Sequence, residues 1–143
     1  VDAVPSGDIK VSGCPNGCGQ NHIAAIGFQG SVRKVGGRAV PQYFVSVGGG
    51  ITDSGASFGR VVSKGPARRL TDALVRLIAL CRAQHEGAES LGGFFRRIPT
   101  SVATDALKDL AEFSPQAAMA EDYIDLGEDQ AFAPEVMDGE CAS

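Results

Sequence analysis

Cys14 and Cys18 bracket the tripeptide Pro15-Asn16-Gly17, and Gly19-Gln20-Asn21-His22 follows. Thiolates are nucleophiles and metal ligands, and at C-x₃-C spacing two of them fall at i and i+4, on one side of a helical turn. Pro15 fixes the backbone after the first thiol, and Gly17 and Gly19 let the main chain approach a bulky object. A helix opening at Asn16 would aim free amides at an anion, the environment that a thiolate-held cluster uses. Two ligands do not complete a metal site. Structural zinc takes four ligands, and a 4Fe-4S cluster usually takes four cysteines. Spacing alone leaves a metal, an iron–sulfur cluster, a redox disulfide and an incidental pair all open.

The other candidate ligands are weaker. Cys81 shares a helical stripe with Leu70, Leu74, Leu77 and Ile78 and reads as a small buried hydrophobe. Cys141 lies near the end of an acidic segment and reads as a non-ligand. His22 stands at i+4 from Cys18 and could in principle be a third ligand, although a solvated or core-edge histidine is the simpler reading. His85 sits where a helix C-terminus would favour its charge.

The elements that must position the pair follow from periodicity. Residues 8–13 alternate as a short strand, residues 16–25 fit a short helix, and residues 26–35 form a second strand. Gly36-Gly37 marks a turn, and AVPQYFVSV, residues 39–47, is the best strand of the chain. Residues 48–59 show no period and read as a loop, with a strand at about 58–65. Pro66 suits the first position of a helix reaching about residue 85. Shorter helices are expected at 88–97 and 101–112, the second capped by Thr100 or Ser101. Strands first and helices after them, without βα alternation, predict an α+β fold: an antiparallel sheet with helices packed on one side.

Charge divides the chain. Residues 1–114 carry 13 Lys+Arg and 9 Asp+Glu, whereas residues 115–143 carry 8 acidic residues and no basic ones. The tail is expected to be extended and weakly ordered, with at most a short helix. The basic body could favour an anionic cofactor or an acidic protein partner, with Arg33, Lys34, Arg38, Arg60 and Lys64 as candidate contacts, although an ordinary solvated surface is the simpler reading of the charge alone. The bias is too small for a nucleic-acid binder, and no apolar run of membrane length exists. Neither a secretory leader nor a disulfide framework is visible, so the reducing cytoplasm is the expected compartment. The glycines at 48–50 open no nucleotide-binding motif.

The wider string SGCPNGCGQNHIAAIGFQG strongly resembles the second cluster-binding segment of the sirohaem-dependent nitrite and sulfite reductases. YFVSVGGG and GRVVSKGPARRLTDALVRLIALCRAQHEGAESLGGFFRR extend the resemblance over about residues 8–112. In that family four cysteines from a C-x₅-C and a C-x₃-C segment hold a 4Fe-4S cluster, and the last one bridges to the sirohaem iron. The resemblance therefore implies that Cys14 and Cys18 are cluster ligands, that Cys18 is the bridging one, and that Asn16 and Gly17 lie on the sirohaem side. It implies an oxidoreductase that carries six electrons to nitrite or sulfite, with a ferredoxin-like or flavoprotein electron donor. The chain departs from the family in having no C-x₅-C, and in reading Gln20-Asn21-His22 and Ala25-Ile26 where the family often has Gln-His-His and Ala-Asp-Ile. The expectation is a C-terminal segment, residues 1–114 with the tail beyond, that supplies half of the cluster ligands, is inactive alone and needs the N-terminal part of the reductase. The alternatives are a stand-alone metal- or cluster-binding module completed by dimerisation, a C-x₃-C redox disulfide module, and a plain interaction domain.

Overall fold

A computed structural model describes residues 5–133 apart from 115 and 117. Its main sheet has four strands, β1 (Ile9–Ser12), β2 (Ile26–Val35), β3 (Arg38–Val47) and, after a small hairpin, β6 (Arg60–Pro66), in the order β1-β2-β3-β6. The hairpin, β4 (Gly50–Thr52) with β5 (Gly55–Ser57), occupies the stretch expected to be a loop. Its strands are three residues each, too short to leave an alternation in the sequence.

β2 and β3 pair antiparallel over their full length, from Ile26↔Val47 to Val35↔Arg38. Gly36 and Gly37 close this pair with φ of 58° and 77°, the two positive values that a type I′ hairpin demands. Counting back from the closing pair makes Val32↔Pro41 a non-hydrogen-bonded pair, so the N–H that Pro41 lacks would have pointed away from β2. β6 pairs with β3 only from Gln42 onward, so the proline interrupts no ladder.

β1 runs parallel to β2, which makes the sheet mixed and not purely antiparallel. Adjacent parallel strands need a crossover, and residues 13–25, the cysteine segment, are that crossover. Asp8, just before β1, clasps the far end of the crossover: its Oδ1 accepts from the Ala25 amide at 2.8 Å, and its carbonyl accepts from the Ile26 amide at 3.2 Å.

The helices pack on one sheet face, as the α+β expectation requires. They are α1 (Leu70–Gln84), α2 (Leu91–Arg97), α3 (Thr100–Ala106) and α4 (Lys108–Ala111). Pro66 ends β6 and precedes a 3₁₀ turn, Ala67–Arg69, so α1 starts later than Pro66 suggested. Thr100 lies inside α3 and Pro99 takes its N-cap position without a side-chain bond, whereas Ser90 caps α2 by accepting from the Gly93 amide. Phe28, Ile26, Val45 and Val47 of the sheet meet Leu77 and Cys81 of α1, Phe94 and Phe95 of α2 and Leu107 at the end of α3, all essentially buried. Truncating one such aromatic to Ala removes about 3–5 kcal/mol.

The described part of the acidic segment lies against this body. Tyr123 joins Val35 and Val40 in a second apolar cluster with Phe113 and Ala118 packed on it. Asp122 is buried and pairs with Arg69 through two hydrogen bonds, 3.1 and 2.7 Å. The segment uses part of the basic body's charge internally. Residues 134–143, which hold Cys141, lie outside the described residues.

Candidate functional site

The cysteines sit on two consecutive turns, not on a helix. The Gly17 amide donates to the Cys14 carbonyl at 3.2 Å, closing a turn with Pro15 and Asn16 at its centre. The Gln20 amide then donates to the Gly17 carbonyl at 2.8 Å, closing a second turn that contains Cys18 and Gly19. Pro at the second position and Gly at the fourth suit the first turn, and the Asn-Gly dipeptide was its readable signal. The expected helix shrinks to one 3₁₀ turn, Asn21–Ile23. The amides of Gly17 and Gln20 are engaged within the loop and that of Gly19 by Ser12 of β1, and the helix expected to open at Asn16 does not form.

The loop is braced from below. Ser12, buried at the end of β1, accepts the Gly19 amide on its Oγ at 3.1 Å. A Cβ on Gly19 would overlap the Val11 carbonyl oxygen and stand 2.9 Å from Ser12 Oγ, so only glycine lets the second turn lie flat on β1. Gln20 has φ 57°, the one non-glycine residue with positive φ among the described residues, and Lys10 Nζ holds its side-chain oxygen at 3.2 Å. Such a backbone is costly outside glycine and persists where neighbours fix it. Asp8, Ser12 and Lys10 are the positioning residues that sequence reasoning missed. Their isolated polar side chains carry no periodic signal.

Cys14 is half-buried, Cys18 is exposed, and both are free thiols. Cys14 lines a cleft of about 340 Å³ that also includes Tyr43, Asp125 and Phe132. Burial, and then the Asp125 carboxylate, hold the Tyr43 phenol above its ordinary value of 10.0. His22 is exposed, and its Nε2 lies 3.1 Å from where a Gly17 Cβ would stand. The His22 carbonyl accepts the Gly59 amide at 2.8 Å, which anchors the loop to the start of β6. Among the described residues no three His, Cys, Asp or Glu side chains gather to hold a metal. Cys81 is fully buried in the core, where its apolar neighbours and then Glu89 push its thiol pKa up. No helix among the described residues is long and apolar enough to cross a membrane.

The five candidate basic contacts separate. Arg60 donates to the Phe95 carbonyl at 2.5 Å, and Arg38 stacks 3.7 Å above the Tyr123 ring, both structural uses. Arg33 stands 5.8 Å from the Phe113 ring centre, whereas Lys34 and Lys64 are exposed.

No protein-family model matches the chain. It is similar to the sulfite reductase [NADPH] hemoprotein beta-component of Bordetella petrii, with 36% identity over 103 residues, 71% of this chain and 16% of that protein. Its structure resembles that of the NirA protein of Mycobacterium tuberculosis, with a TM-score of 0.59 and 27% identity, covering 67% of this chain and 18% of that one. The chain thus spans less than a fifth of the length of either relative.

Proposed function

This chain belongs to the sirohaem-dependent nitrite/sulfite reductase family, and we propose that within such a reductase it is the C-terminal segment that presents half of the cluster ligands. The observation that carries this reading is a pair of free thiols on two braced turns, with no third ligand beside them among the described residues. The donor set fits its share of a thiolate-held cluster: two soft ligands, neither buried in the core, on a loop pinned by Ser12, Lys10 and Asp8. Cys14 and Cys18 would hold the 4Fe-4S cluster. Asn16, Gly17 and Cys18 would form the sirohaem side, with Cys18 shared between the two cofactors. When bound, these cofactors supply the storage and delivery of six electrons to nitrite or sulfite. This chain's own part is to hold two thiolates at a fixed separation and to keep the turn between them rigid.

The remaining ligands and the oxyanion-binding groups belong to the N-terminal part of the reductase in this reading, and the isolated chain is inactive. Exposed apolar side chains suited to that contact are present: Phe58 and Val61, 72% and 64% exposed, are near neighbours in sequence of the cysteine loop's anchor at Gly59, and Ile51 of the hairpin is 79% exposed. Electrons would arrive from a ferredoxin-like or flavoprotein donor in a soluble compartment, the cytoplasm.

Anaerobic reconstitution with iron and sulfide tests the reading. The isolated chain is expected to show no stable four-iron absorption band and to remain monomeric. A four-iron cluster on the monomer overturns the half-site. A cluster or zinc ion appearing only with a doubled mass identifies the dimerised module instead.

A further inference from the structure

Outside the ligand pair, the least expected arrangement is where the acidic segment ends up. From Tyr123 the chain turns back on itself: Ile124 bridges Ala131, and the Phe132 amide donates to the Tyr123 carbonyl at 2.7 Å. This brings Asp125 and Phe132 into the lining of the same cleft as Gly13, Cys14 and Pro15. The anchors of the segment all lie outside the cysteine loop. Arg69 grips the buried Asp122 carboxylate, Arg68 Nε donates to the Ile124 carbonyl at 3.1 Å, and Arg38 covers Tyr123.

We propose that residues 118–133 are a lid on the Cys14 side of the cysteine loop, so that seating of this segment, and not the turns themselves, keeps Cys14 less accessible than Cys18. The two thiols are only four residues apart on one braced loop, yet Cys18 is exposed while Cys14 faces a cleft that the segment walls. Because the anchors are remote from the loop, the lid can lift without rearranging the turns. Whatever enters this cleft to engage Cys14 meets the segment on its wall, which makes the acidic stretch a gate on one ligand of the pair. The device is a property of the free chain and does not depend on which cofactor the cysteines hold.

Thiol alkylation of the intact, metal-free chain tests it, with each cysteine read by peptide mass mapping. Cys18 is expected to react fastest, Cys14 more slowly and Cys81 last, since Cys81 is fully buried and reports global opening. Phe132→Ala removes the apolar wall while leaving the Arg69–Asp122 grip and every charge in place. It should speed Cys14 about fivefold or more, as expected when a locally closed segment opens, with Cys18 and Cys81 unchanged. Asp122→Asn loosens the anchor and should act in the same direction. Cys14 reacting as fast as Cys18 in the parent chain, or unchanged in Phe132→Ala with Cys81 still protected, overturns the lid. If Asp122→Asn exposes Cys81 through unfolding, the Phe132→Ala result decides alone.

Discussion

Cys81 and the Cys14/Cys18 pair show how one residue type takes opposite roles under opposite constraints. Cys81 sits on the inner stripe of α1 with Leu77 and the α2 phenylalanines around it, and its thiol is held neutral by apolar surroundings. The paired cysteines sit on turns that must bridge two parallel strands, where no regular element offers them a face to bury. Packing decides the first environment. Backbone hydrogen bonds and closely packed glycines, Gly17 and Gly19 among them, decide the second. The core is therefore expected to fail through lost volume, and the loop through added volume.

The sharpest separation comes from Phe94→Ala. It should cost about 3–5 kcal/mol in urea unfolding, because a fully buried ring at the helix–sheet contact leaves a cavity. The relative alkylation rates of Cys14 and Cys18 should stay as they are in the fraction that remains folded. Gly19→Ala is the converse. A methyl group forced against the Val11 carbonyl should cost about 1–3 kcal/mol, and hydrogen exchange should rise along β1 while the α1 amides stay protected. A uniform loss of protection would show that loop and core are one unit.

The helix-covered half was largely legible in the sequence. The residues of β2 were bounded correctly, the glycine turn follows from its composition, and the α1 stripe follows from spacing at 70, 73, 74, 77, 78 and 81. Cys81 was placed correctly for the same reason: burial on an amphipathic helix leaves a periodic trace. The loop half was legible only in its residue types. A 3.6-residue period can be counted through Asn16–Ala25, yet Gly17 and Gly19 and the positive φ of Gln20 make the chain turn twice instead. The parallel pairing of β1 was also hidden, because four residues of alternation do not encode a direction. The docking of Asp122 and Tyr123 was masked by the acidic composition around them. Their partners, Arg69 and Arg38, lie far away in sequence and nothing local marks them.

Smaller effects refine the contrast through pH. The Tyr43 phenol is raised by burial and then by Asp125, so it favours the folded state below the unfolded value of about 10, and that stability is lost as pH rises through the folded value. An ultraviolet titration should find one of the two tyrosines late, and Asp125→Asn should bring it partly back toward 10.0. An unchanged titration would mean that Asp125 does not face the cleft. The smallest effect lies on the helix side. Hydrogen bonding to Arg97 holds the Glu89 carboxyl below its ordinary 4.5, so its contribution is present above that value and lost as pH falls through the folded one. Glu89→Gln should flatten the stability profile below about pH 4.5, with no effect on the loop thiols.

β1 is the shortest strand of the main sheet. It lies at the sheet edge, with Ile9 and Val11 42% and 49% exposed, and its last residue, Ser12, is the one that steadies the second turn. Strand and loop therefore rise and fall together. Anything that grips the two thiols lends its binding free energy to β1, and anything that lengthens or pairs β1 prepays the order that such a ligand requires. Occupancy at the cysteines and registry at the edge of the sheet are linked variables, and each can be measured by titrating the other.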